Sequence, residues 1–273
     1  MPNLIVSPKE KPDAKGNVLE ITPESANWSY VGFQVFKLQA GECLRNETGD
    51  QEVCLVLISG KADISTVKET WNGIGLRMDI FEKTPPYSVY IPNDDYYEIT
   101  ALTNLELAVC KAPGQGNHKA RLIPPSEVGV EVRGYGNIER LVHNILPENE
   151  AADSLLVVEV FTPDGHWSSY PPHKHDRDAL PEESLLEETY YYHMKPEQGF
   201  AVQRVYTDDG DLDETMIVRD GQAVLVPQGY HPVAAPPGYE VYYLNVMAGP
   251  MRYWRFHNDP AHAWIMSKPI DKE

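Results

Sequence analysis

The hydrophobic pattern of the chain consists of short apolar runs separated by turn residues. The runs are rich in Val, Ile, Tyr, Leu and Phe, and Gly, Pro, Asn and Asp interrupt them, as in strands joined by tight turns. The strands predicted in the first half are Gly32–Leu38, Val53–Leu57, Lys61–Ile64, Ser88–Ile91, Tyr97–Ala101 and Leu105–Lys111. Those predicted in the second half are Leu155–Thr162, Thr189–His193, Ala201–Thr207, Thr215–Val218, Ala223–Val226 and Glu240–Val246. Because helical patterns are scarce, we predict an all-β sandwich or barrel.

The two halves repeat one pattern of strands and turns. The segments "VCLVLISGKADI" and "ETYYYHMKPEQGFAVQRVYT" each indicate a strand, a glycine-containing turn and a second strand. The segments "SVYIPNDDYYEIT" and "AVLVPQGYHPVAA" each hold an apolar pair, a proline, a tight polar turn and a return strand. Prolines, glycines and charges mix at residues 125–150, so we predict an N-terminal domain at residues 1–130 and a C-terminal domain at residues 131–273.

Charge and hydropathy exclude some classes of function. The formal net charge of −18 disfavours binding to a phosphate backbone, so no nucleic-acid partner is expected. The apolar runs are far shorter than the roughly 20 residues that span a bilayer. The N-terminus shows neither the apolar core nor the cleavage site of a signal peptide. We therefore expect a cytoplasmic protein without a membrane partner.

Cysteines and histidines are distributed unevenly between the halves. Cys43, Cys54 and Cys110 lack CxxC spacing, so we expect reduced thiols that are buried as small hydrophobic residues. Eight of the nine histidines follow residue 137. The second half is therefore the expected place for histidine chemistry.

The densest candidate chemistry is a cluster of possible metal ligands. His173 and His175 are two residues apart, which on a strand places both imidazoles on one face, roughly 7 Å apart. Glu188 follows at the start of a predicted strand, with Glu187 as the alternative that strand parity decides. His231 comes directly after a proline–glycine turn. Imidazole and carboxylate together suit Zn, Mn and other divalent metals.

The arrangement of these residues resembles the cupin family, in which a first hairpin supplies two histidines and a glutamate and a second supplies one histidine. The second cupin motif begins PxG, and Pro227 and Gly229 stand in that place. The resemblance implies a bicupin, with two jelly-roll barrels in one chain. It implies that the metal ligands are His173, His175, Glu188 and His231, and that segment 176–187 loops out. The first half lacks this set and is expected to be free of metal.

Longer motifs of the second half resemble a narrower family. "SSYPPHKHD", "QGFAVQRVYT", "LVPQGYHPV", "YYLNVMAGP" and "NDPAHAW" are similar to those of the 5-deoxy-glucuronate isomerases of inositol catabolism. The ketouronate isomerases of pectin breakdown share the same plan. The resemblance covers roughly residues 130–265. It implies a metal-dependent aldose–ketose isomerase that converts 5-deoxy-D-glucuronate to 5-dehydro-2-deoxy-D-gluconate.

That reaction can be compared with the residues present. A proton moves from the carbon beside the aldehyde to the carbonyl carbon, and a divalent metal, with Zn or Mn favoured, would stabilise the intervening enediolate. None of the motifs GxGxxG, GxxxxGK[ST] or GxSxG occurs, so no nucleotide or nucleophile is indicated. The predicted catalytic residues near the metal hairpin are Tyr190, Tyr192 and Lys174, with His193 and Glu187 as further candidates for the base.

A sugar acid also requires groups that bind its carboxylate. Arginine does so bidentately, and Arg204 and Arg133 are the predicted carboxylate ligands. Gln203 is predicted to point inward beside Arg204 and to contact the substrate. The weaker candidates are Asn245, Arg252, His257 and His262.

Two other functions remain possible from sequence alone. Cupins with the same ligand set bind iron and activate oxygen, so a metal-dependent dioxygenase is one alternative. A non-catalytic sugar-binding bicupin is the other, although unused ligands have no folding reason to converge. Edge strands of cupins commonly pair between subunits, so a homo-oligomer is expected.

Overall fold

The structure, a computed structural model, describes residues 3–267 and is almost entirely β. The strands of the first half are β1 Ile5–Val6, β2 Asn17–Ile21, β3 Gly32–Leu38, β4 Cys43–Glu47, β5 Gln51–Ser59, β6 Ala62–Ser65, β7 Thr70–Ile74, β8 Ser88–Ile91, β9 Tyr96–Ala101, β10 Leu105–Pro113 and β11 Arg121–Ile123. Those of the second half are β12 Gly129–Arg133, β13 Arg140–Leu146, β14 Leu156–Thr162, β15 Trp167–Ser168, β16 His173–Lys174, β17 Asp176–Ala179, β18 Glu183–Leu185, β19 Glu187–Lys195, β20 Phe200–Tyr206, β21 Asp213–Arg219, β22 Ala223–Val226, β23 Val233–Ala234, β24 Glu240–Ala248 and β25 His257–Asn258.

Helical structure is short throughout the described residues. One α-helix, α1, covers Pro23–Ala26, and 3₁₀ helices cover Ile80–Glu82, Gly136–Ile138 and Ala263–Ser267. Thr22 caps α1, since its hydroxyl accepts the backbone N–H of Ser25. Between residues 3 and 267 there is no helix with the length and apolar character needed to cross a bilayer.

Every strand predicted from the sequence is present, and β3, β8 and β22 have the predicted bounds. The sequence did not reveal thirteen further strands in the described part of the chain, among them β2, β13, β4 and β7. The last two show why. Each of them buries a single side chain, Leu44 in β4 and Ile74 in β7, so an alternating apolar pattern is missing.

The two halves share one topology, which confirms the predicted repeat. The first half has a six-stranded sheet, β11-β8-β5-β10-β3-β2, and a four-stranded sheet, β4-β9-β6-β7. The second has a seven-stranded sheet, β1-β22-β19-β24-β14-β13-β12, and a four-stranded sheet, β15-β23-β20-β21. The order β8-β5-β10-β3-β2 thus corresponds to β22-β19-β24-β14-β13. Two small sheets, β16-β25 and β17-β18, extend the second half.

The six-stranded sheet is buried on both faces. Along β5, Val53, Leu55 and Leu57 pack inside the first half, in one apolar cluster with residues of the four-stranded sheet. The alternating residues Cys54 and Val56 belong instead to a cluster that extends across the second half. Because both faces are covered, β5 is apolar along almost its whole length.

Reciprocal carboxylates join the two halves. Glu52, on β5, accepts the backbone N–H groups of residues 153–155 at 2.7, 2.6 and 2.6 Å, and the hydroxyl of Tyr90 at 2.6 Å. Glu187, on β19, accepts the N–H groups of residues 29–31 at 2.6, 2.7 and 3.0 Å. The donors to Glu52 directly precede β14 in the second half, and the donors to Glu187 directly precede β3 in the first half. Each buried carboxylate thus gains the hydrogen bonds that its burial requires.

A buried ion pair crosses the same boundary. The guanidinium of Arg77, in the first half, donates to both oxygens of Glu159 on β14 at 2.7 and 2.8 Å. The side chains are 1% and 0% exposed, so water does not screen the charges. His143 and the hydroxyl of Tyr242 also contact this carboxylate, at 2.7 and 3.0 Å. The full set of partners offsets the cost of burying both charges.

Strands cross the predicted domain boundary. Residue 130 lies within β12, which pairs with β13 in the seven-stranded sheet. The N-terminal strand β1 pairs with β22 in that same sheet. The division between residues 130 and 131 therefore stays a prediction. The two predicted domains also include residues 1–2 and 268–273, which lie outside the described residues.

The cysteine prediction is correct for two residues and wrong for one. All three thiols are free, and Cys54 and Cys110 are buried. Cys43 is exposed, because its neighbour Leu44 takes the inward position at the start of β4. Strand parity therefore places the thiol of Cys43 on the outer face.

A third polar contact between the halves centres on His193. Its Nε2 lies 2.8 Å from Glu106 of β10, and its Nδ1 lies 2.9 Å from Asp220. Tyr191 also donates to Glu106, and Lys37 lies 3.7 Å from that carboxylate. Burial acts to lower the pKa of His193, but the two carboxylates raise it to about 10. His193 is therefore a positively charged imidazolium at neutral pH.

Replacing His193 with Gln is expected to destabilise the protein in a pH-dependent way. The folded protein holds the proton more tightly than the unfolded chain, so the contribution is complete below about pH 6.5 and is lost as the pH rises through 10. At pH 7 the variant removes the positive charge between Glu106 and Asp220 and leaves Glu106 with Tyr191 and Lys37 as its partners, which costs about 3 kcal/mol. Urea unfolding of both proteins at a series of pH values measures the difference.

His262→Gln is the matched control, because the side chain of His262 is 42% exposed and its nearest carboxylate is 3.9 Å away. It should change the unfolding midpoint little at any pH. A His193→Gln effect that stayed constant from pH 7 to above pH 10 would contradict the charged-histidine interpretation.

Candidate metal centre

Three predicted metal ligands meet inside the second half. His175, Glu188 and His231 are buried, and one ligand atom from each lies within 4.8 Å of the others. The Oε2 atom of Glu188 is 3.0 Å from Nε2 of His175 and 3.3 Å from Nε2 of His231. Ligands bonded to one divalent cation at about 2.1 Å lie about 3 Å apart, so the spacing fits such an ion.

Backbone carbonyls orient the imidazole rings. Nδ1 of His175 lies 3.0 Å from the carbonyl oxygen of Leu186, and Nδ1 of His231 lies 2.8 Å from that of Gly229. Nδ1 of His173 lies 3.3 Å from the carbonyl oxygen of Pro171. A carbonyl oxygen only accepts, so each Nδ1 carries the proton. In the neutral rings Nε2 then keeps a lone pair, which is the tautomer of a metal-binding histidine.

The fourth predicted ligand, His173, lies beside this group. Its ring centroid is 4.9 Å from that of His231 and 6.5 Å from that of His175. It is outside the 4.8 Å group, and it is the one histidine of the set that is half-buried. His173 thus faces both the cluster and the cavity that opens next to it.

The electrostatics favour neutral imidazoles at two positions. Burial lowers the pKa of His173 and of His231 to about 3. Burial also acts to lower the pKa of His175, but the hydrogen bond and charge of Glu188 raise it overall. Nε2 of His231 is buried without a hydrogen-bond partner in the part of the chain that the structure describes. Such an atom is costly unless it bonds to something, and a cation supplies that bond.

The segment between the histidine pair and Glu188 loops out as expected. It forms the hairpin of β17 and β18, and Asp176 at its start accepts the N–H group of Gly229 at 2.8 Å. That contact connects the hairpin to the proline–glycine turn before His231. The loop therefore helps to position the second metal motif.

Strand parity separates the two adjacent glutamates. Glu188 turns toward the histidines, whereas Glu187 turns to the opposite face and accepts the three N–H groups of residues 29–31. Successive side chains of a strand point to opposite faces, so the same rule places Tyr190 beside the cluster and His193 at the other half. Glu187 and His193 contact the first half and do not share the face of the cluster.

Two predicted catalytic tyrosines lie on the metal-facing side of β19. The ring of Tyr190 is 5.8 Å from that of His231, and its hydroxyl is 2.9 Å from Oγ of Ser169. Tyr192 stacks on Tyr190 and donates to Oε1 of Gln203 at 2.8 Å. Burial, followed by neighbouring charges and phenols, raises the pKa of both tyrosines well above the usual value. Both phenols therefore keep their protons at neutral pH.

The third predicted catalytic residue, Lys174, takes part in ion pairs. Its Nζ lies 3.1 Å from Asp176 and 2.7 Å from Asp208. Burial acts to lower its pKa, but the hydrogen bonds to these carboxylates raise it. An ammonium group held in this way does not accept a proton at neutral pH. The geometry supports a bracing contact between β16 and the segment after β20.

The three predicted substrate ligands lie in different environments. Arg204 is exposed and forms a bidentate pair with Asp213, with both distances 2.7 Å. Gln203 is buried behind the cluster, with its Nε2 3.5 Å from the carbonyl oxygen of His231. Arg133 lines the cavity that reaches His173. Of the three predicted residues, Arg133 is the one that lines this cavity.

The weaker candidates have structural contacts. Arg252 donates to five backbone carbonyl oxygens between residues 146 and 155, and so braces that loop. Asn245 is buried and donates to the carbonyl oxygen of Thr189 at 3.4 Å. His257 pairs with Lys174 between β16 and β25, and His262 lies 3.9 Å from Asp259.

Two site residues were missed from the sequence. Ser169 connects the hydroxyls of Tyr190 and Tyr243, at 2.9 and 3.4 Å, and has a left-handed backbone with a φ of 49°. Arg140 lines the cavity beside His173. A serine in a loop carries no distinctive pattern. Arg140 lies opposite Arg133 in the hairpin of β12 and β13, which the apolar pattern did not reveal.

Comparison with known proteins identifies the family. The family model described as KduI/IolB matches residues 4–265. A 5-deoxy-glucuronate isomerase of Geobacillus kaustophilus is 66% identical over 266 residues, which cover 97% of this chain and 96% of that protein. The chain belongs to the KduI/IolB family. Membership at this identity also places it among the isomerases.

Solved structures show the fold of the family. A crystal structure of an IolB-like protein from Salmonella typhimurium matches with a TM-score of 0.95 and 52% identity, covering 97% of this chain and all of that one. Oxalate decarboxylase of Lactobacillus farciminis matches with a TM-score of 0.68 and 13% identity, covering 98% and 91%. The second likeness shows the fold alone, and it confirms the predicted bicupin.

The neighbouring glutamates provide a matched test of the metal centre. Glu188→Gln is expected to lower bound metal strongly, because the carboxylate is the anionic member of the group. Glu187→Gln should keep metal but lower the free energy of unfolding by about 2 kcal/mol, because an amide cannot accept all three N–H groups. Metal content by elemental analysis and urea unfolding of both variants measure these effects. Equal loss of metal in the two variants would contradict the assignment.

Proposed function

We propose that the chain is a divalent-metal-dependent aldose–ketose isomerase that converts 5-deoxy-D-glucuronate to 5-dehydro-2-deoxy-D-gluconate. The observation that carries the proposal is the convergence of two carbonyl-oriented histidines, His175 and His231, on the buried carboxylate of Glu188, with the ring of His173 next to that of His231. The 66% identical relative named 5-deoxy-glucuronate isomerase supports the choice of substrate. Inositol catabolism, a cytoplasmic location and a homo-oligomeric state remain predictions of the sequence.

The proposed metal ligands are His173, His175, Glu188 and His231. Three imidazoles and one carboxylate would suit Zn or Mn as ligands. Bound there, a divalent cation supplies Lewis-acid polarisation of the carbonyl and stabilisation of the enediolate. Since carbonyl groups already hold the three rings, the ligands need little rearrangement to bind.

The proposed proton-handling group is the hydroxyl of Tyr190. It lies beside His231, and its proton is retained because burial raises the pKa of the phenol well above its usual value. The hydroxyl of Ser169 lies within hydrogen-bonding distance of the hydroxyls of Tyr190 and Tyr243. The hydroxyl of Tyr190 would donate a hydrogen bond to the substrate oxygen on which negative charge develops as the C–H proton leaves, and the hydroxyls of Ser169 and Tyr243 would hold it in position.

The remaining predicted residues have positioning roles in the proposal. Tyr192 and Gln203 form a buried hydrogen bond next to the carbonyl oxygen of His231. Lys174 and Asp176 hold the hairpin against the turn that carries Gly229. These contacts fix the backbone on both sides of the histidine ligands. Orientation of this kind is needed because small displacements of ligands reduce catalysis strongly.

The first test is isomerase activity on 5-deoxy-D-glucuronate. We expect turnover by the purified protein, loss of turnover after chelation, and recovery when Zn or Mn is added. His173→Ala should bind metal more weakly and lose activity, since it removes a proposed ligand. Product is followed by NMR, and metal is measured in the same samples. Absence of turnover by a protein with stoichiometric metal would refute the proposed reaction.

Removing the hydroxyl of Tyr190 tests proton handling separately. Tyr190→Phe is expected to lower kcat roughly 100-fold, the lower range for loss of a general acid or base, with metal content unchanged. Tyr97→Phe is the control, because it removes an equally buried hydroxyl in the first half, 3.3 Å from Asn46. A Tyr190→Phe enzyme with unchanged kcat would exclude the phenol from the reaction.

A further inference from the structure

A cavity of about 420 Å³ lies beside the candidate metal centre and reaches it at His173. His173 forms part of its wall, so anything bound there lies next to the proposed ligands. Trp254 and Phe256 make one side apolar, and the rings of His173 and Phe256 are 4.8 Å apart. Arg133 and Arg140 supply the positive charge of the cavity.

The two arginines lie opposite each other on adjacent antiparallel strands. Arg133 ends β12, Arg140 begins β13, and the two residues are direct partners in the antiparallel register. Side chains at such positions share one face of the sheet, and like charges there are destabilising. An anion bound within reach of both guanidinium groups would reduce this repulsion.

A carboxylate forms a direct ion pair with only one of the two guanidinium groups. Arg133 donates to Glu131 at 2.9 and 2.6 Å and to Asn144 at 3.1 Å. Arg140 donates through Nη1 alone, to the carbonyl oxygens of Ile138 and Tyr170 at 3.0 and 3.4 Å. Within residues 3–267, Arg140 forms no ion pair, and its Nε and Nη2 donate no hydrogen bond.

Other arginines near the second half do not offer this combination. Arg204 is saturated by Asp213, and Arg252 uses its donors on backbone carbonyl oxygens. Arg140 therefore combines half-burial, a fixed Nη1 and two free donor atoms in one cavity with His173. A planar guanidinium with two free N–H directions matches the two oxygens of a carboxylate.

We infer that Arg140 binds the carboxylate of the substrate and makes the site selective for sugar acids over neutral sugars. The inference rests on the proposed function for the identity of the sugar. A uronate has its carboxylate at the opposite end from its reacting aldehyde. With the aldehyde end at the histidine cluster, the far end extends along the cavity to Arg140. The rings of Trp254 and Phe256 replace part of the water around the cavity, which strengthens this charge–charge contact.

The test compares two substrates in one variant. Arg140→Gln should lower kcat/KM for 5-deoxy-D-glucuronate roughly 10- to 100-fold, the usual worth of a hydrogen bond to a charged group. It should leave the low kcat/KM for the neutral analogue, with a hydroxymethyl group in place of the carboxylate, unchanged. Arg140→Lys should recover part of the loss, since it keeps the charge but not the fork. Arg45→Gln, which removes an exposed arginine of the first half, is the control and should change neither value.

Equilibrium binding separates this inference from the proposed reaction. D-glucuronate and D-glucose are titrated into wild-type and Arg140→Gln proteins of equal metal content, and dissociation constants are measured by calorimetry. Weaker binding of glucuronate alone in the variant supports the inference, even if the wild type fails to isomerise 5-deoxy-D-glucuronate. An unchanged preference for glucuronate, or an unchanged ratio of the two kcat/KM values in an active enzyme, would overturn it.

Discussion

The two-residue periodicity of β19 is the constraint on which the other features depend. One face of this strand carries Glu188 and Tyr190 to the histidine cluster, and the other carries Glu187 and His193 to the first half. A shift of one residue in register would exchange these sets. Glu187 would then stand among the histidines, and Glu188 would lack the backbone donors that Glu187 now has. Fold and site are therefore specified by the same pairing of β19 with β22 and β24.

The first half contributes to the site through buried charge. Glu159 and Glu187 belong to the sheet that carries the candidate metal centre, yet Arg77 and residues 29–31 satisfy them from the first half. Without these partners the second half would hold carboxylates in an apolar interface, at a cost of several kcal/mol each. The interior of the first half is itself filled by an apolar cluster. The first half thus supplies the partners of buried carboxylates in the seven-stranded sheet of the second half.

The sequence allowed much of this to be predicted, because strands buried on one or two faces leave apolar patterns. The convergence of His175, Glu188 and His231 was also expected, since the HxH spacing and the PxG turn are local signals. Contacts between distant segments left no such signal. The carbonyl of Leu186 that orients His175 and the pairing of Lys174 with Asp208 depend on the folded backbone. Residue type and spacing therefore identify candidate metal ligands. The protonation states of these side chains and their hydrogen-bond partners can be read only from the tertiary structure.

Preorganisation relates the cluster to the cavity beside it. Carbonyl groups of Pro171, Leu186 and Gly229 hold the three rings, and the ligand atoms of His175, Glu188 and His231 already lie close together. A site built in this way has little freedom to adapt to different sugars, and selectivity must come from groups outside the cluster. Arg140 is such a group, because its Nη1 is fixed to two carbonyls while its other donors stay free. A rigid candidate metal centre and the guanidinium of Arg140, which has no ion-pair partner within residues 3–267, would together distinguish a sugar acid from a neutral sugar. They would do so by the distance between the aldehyde and the carboxylate of the sugar acid.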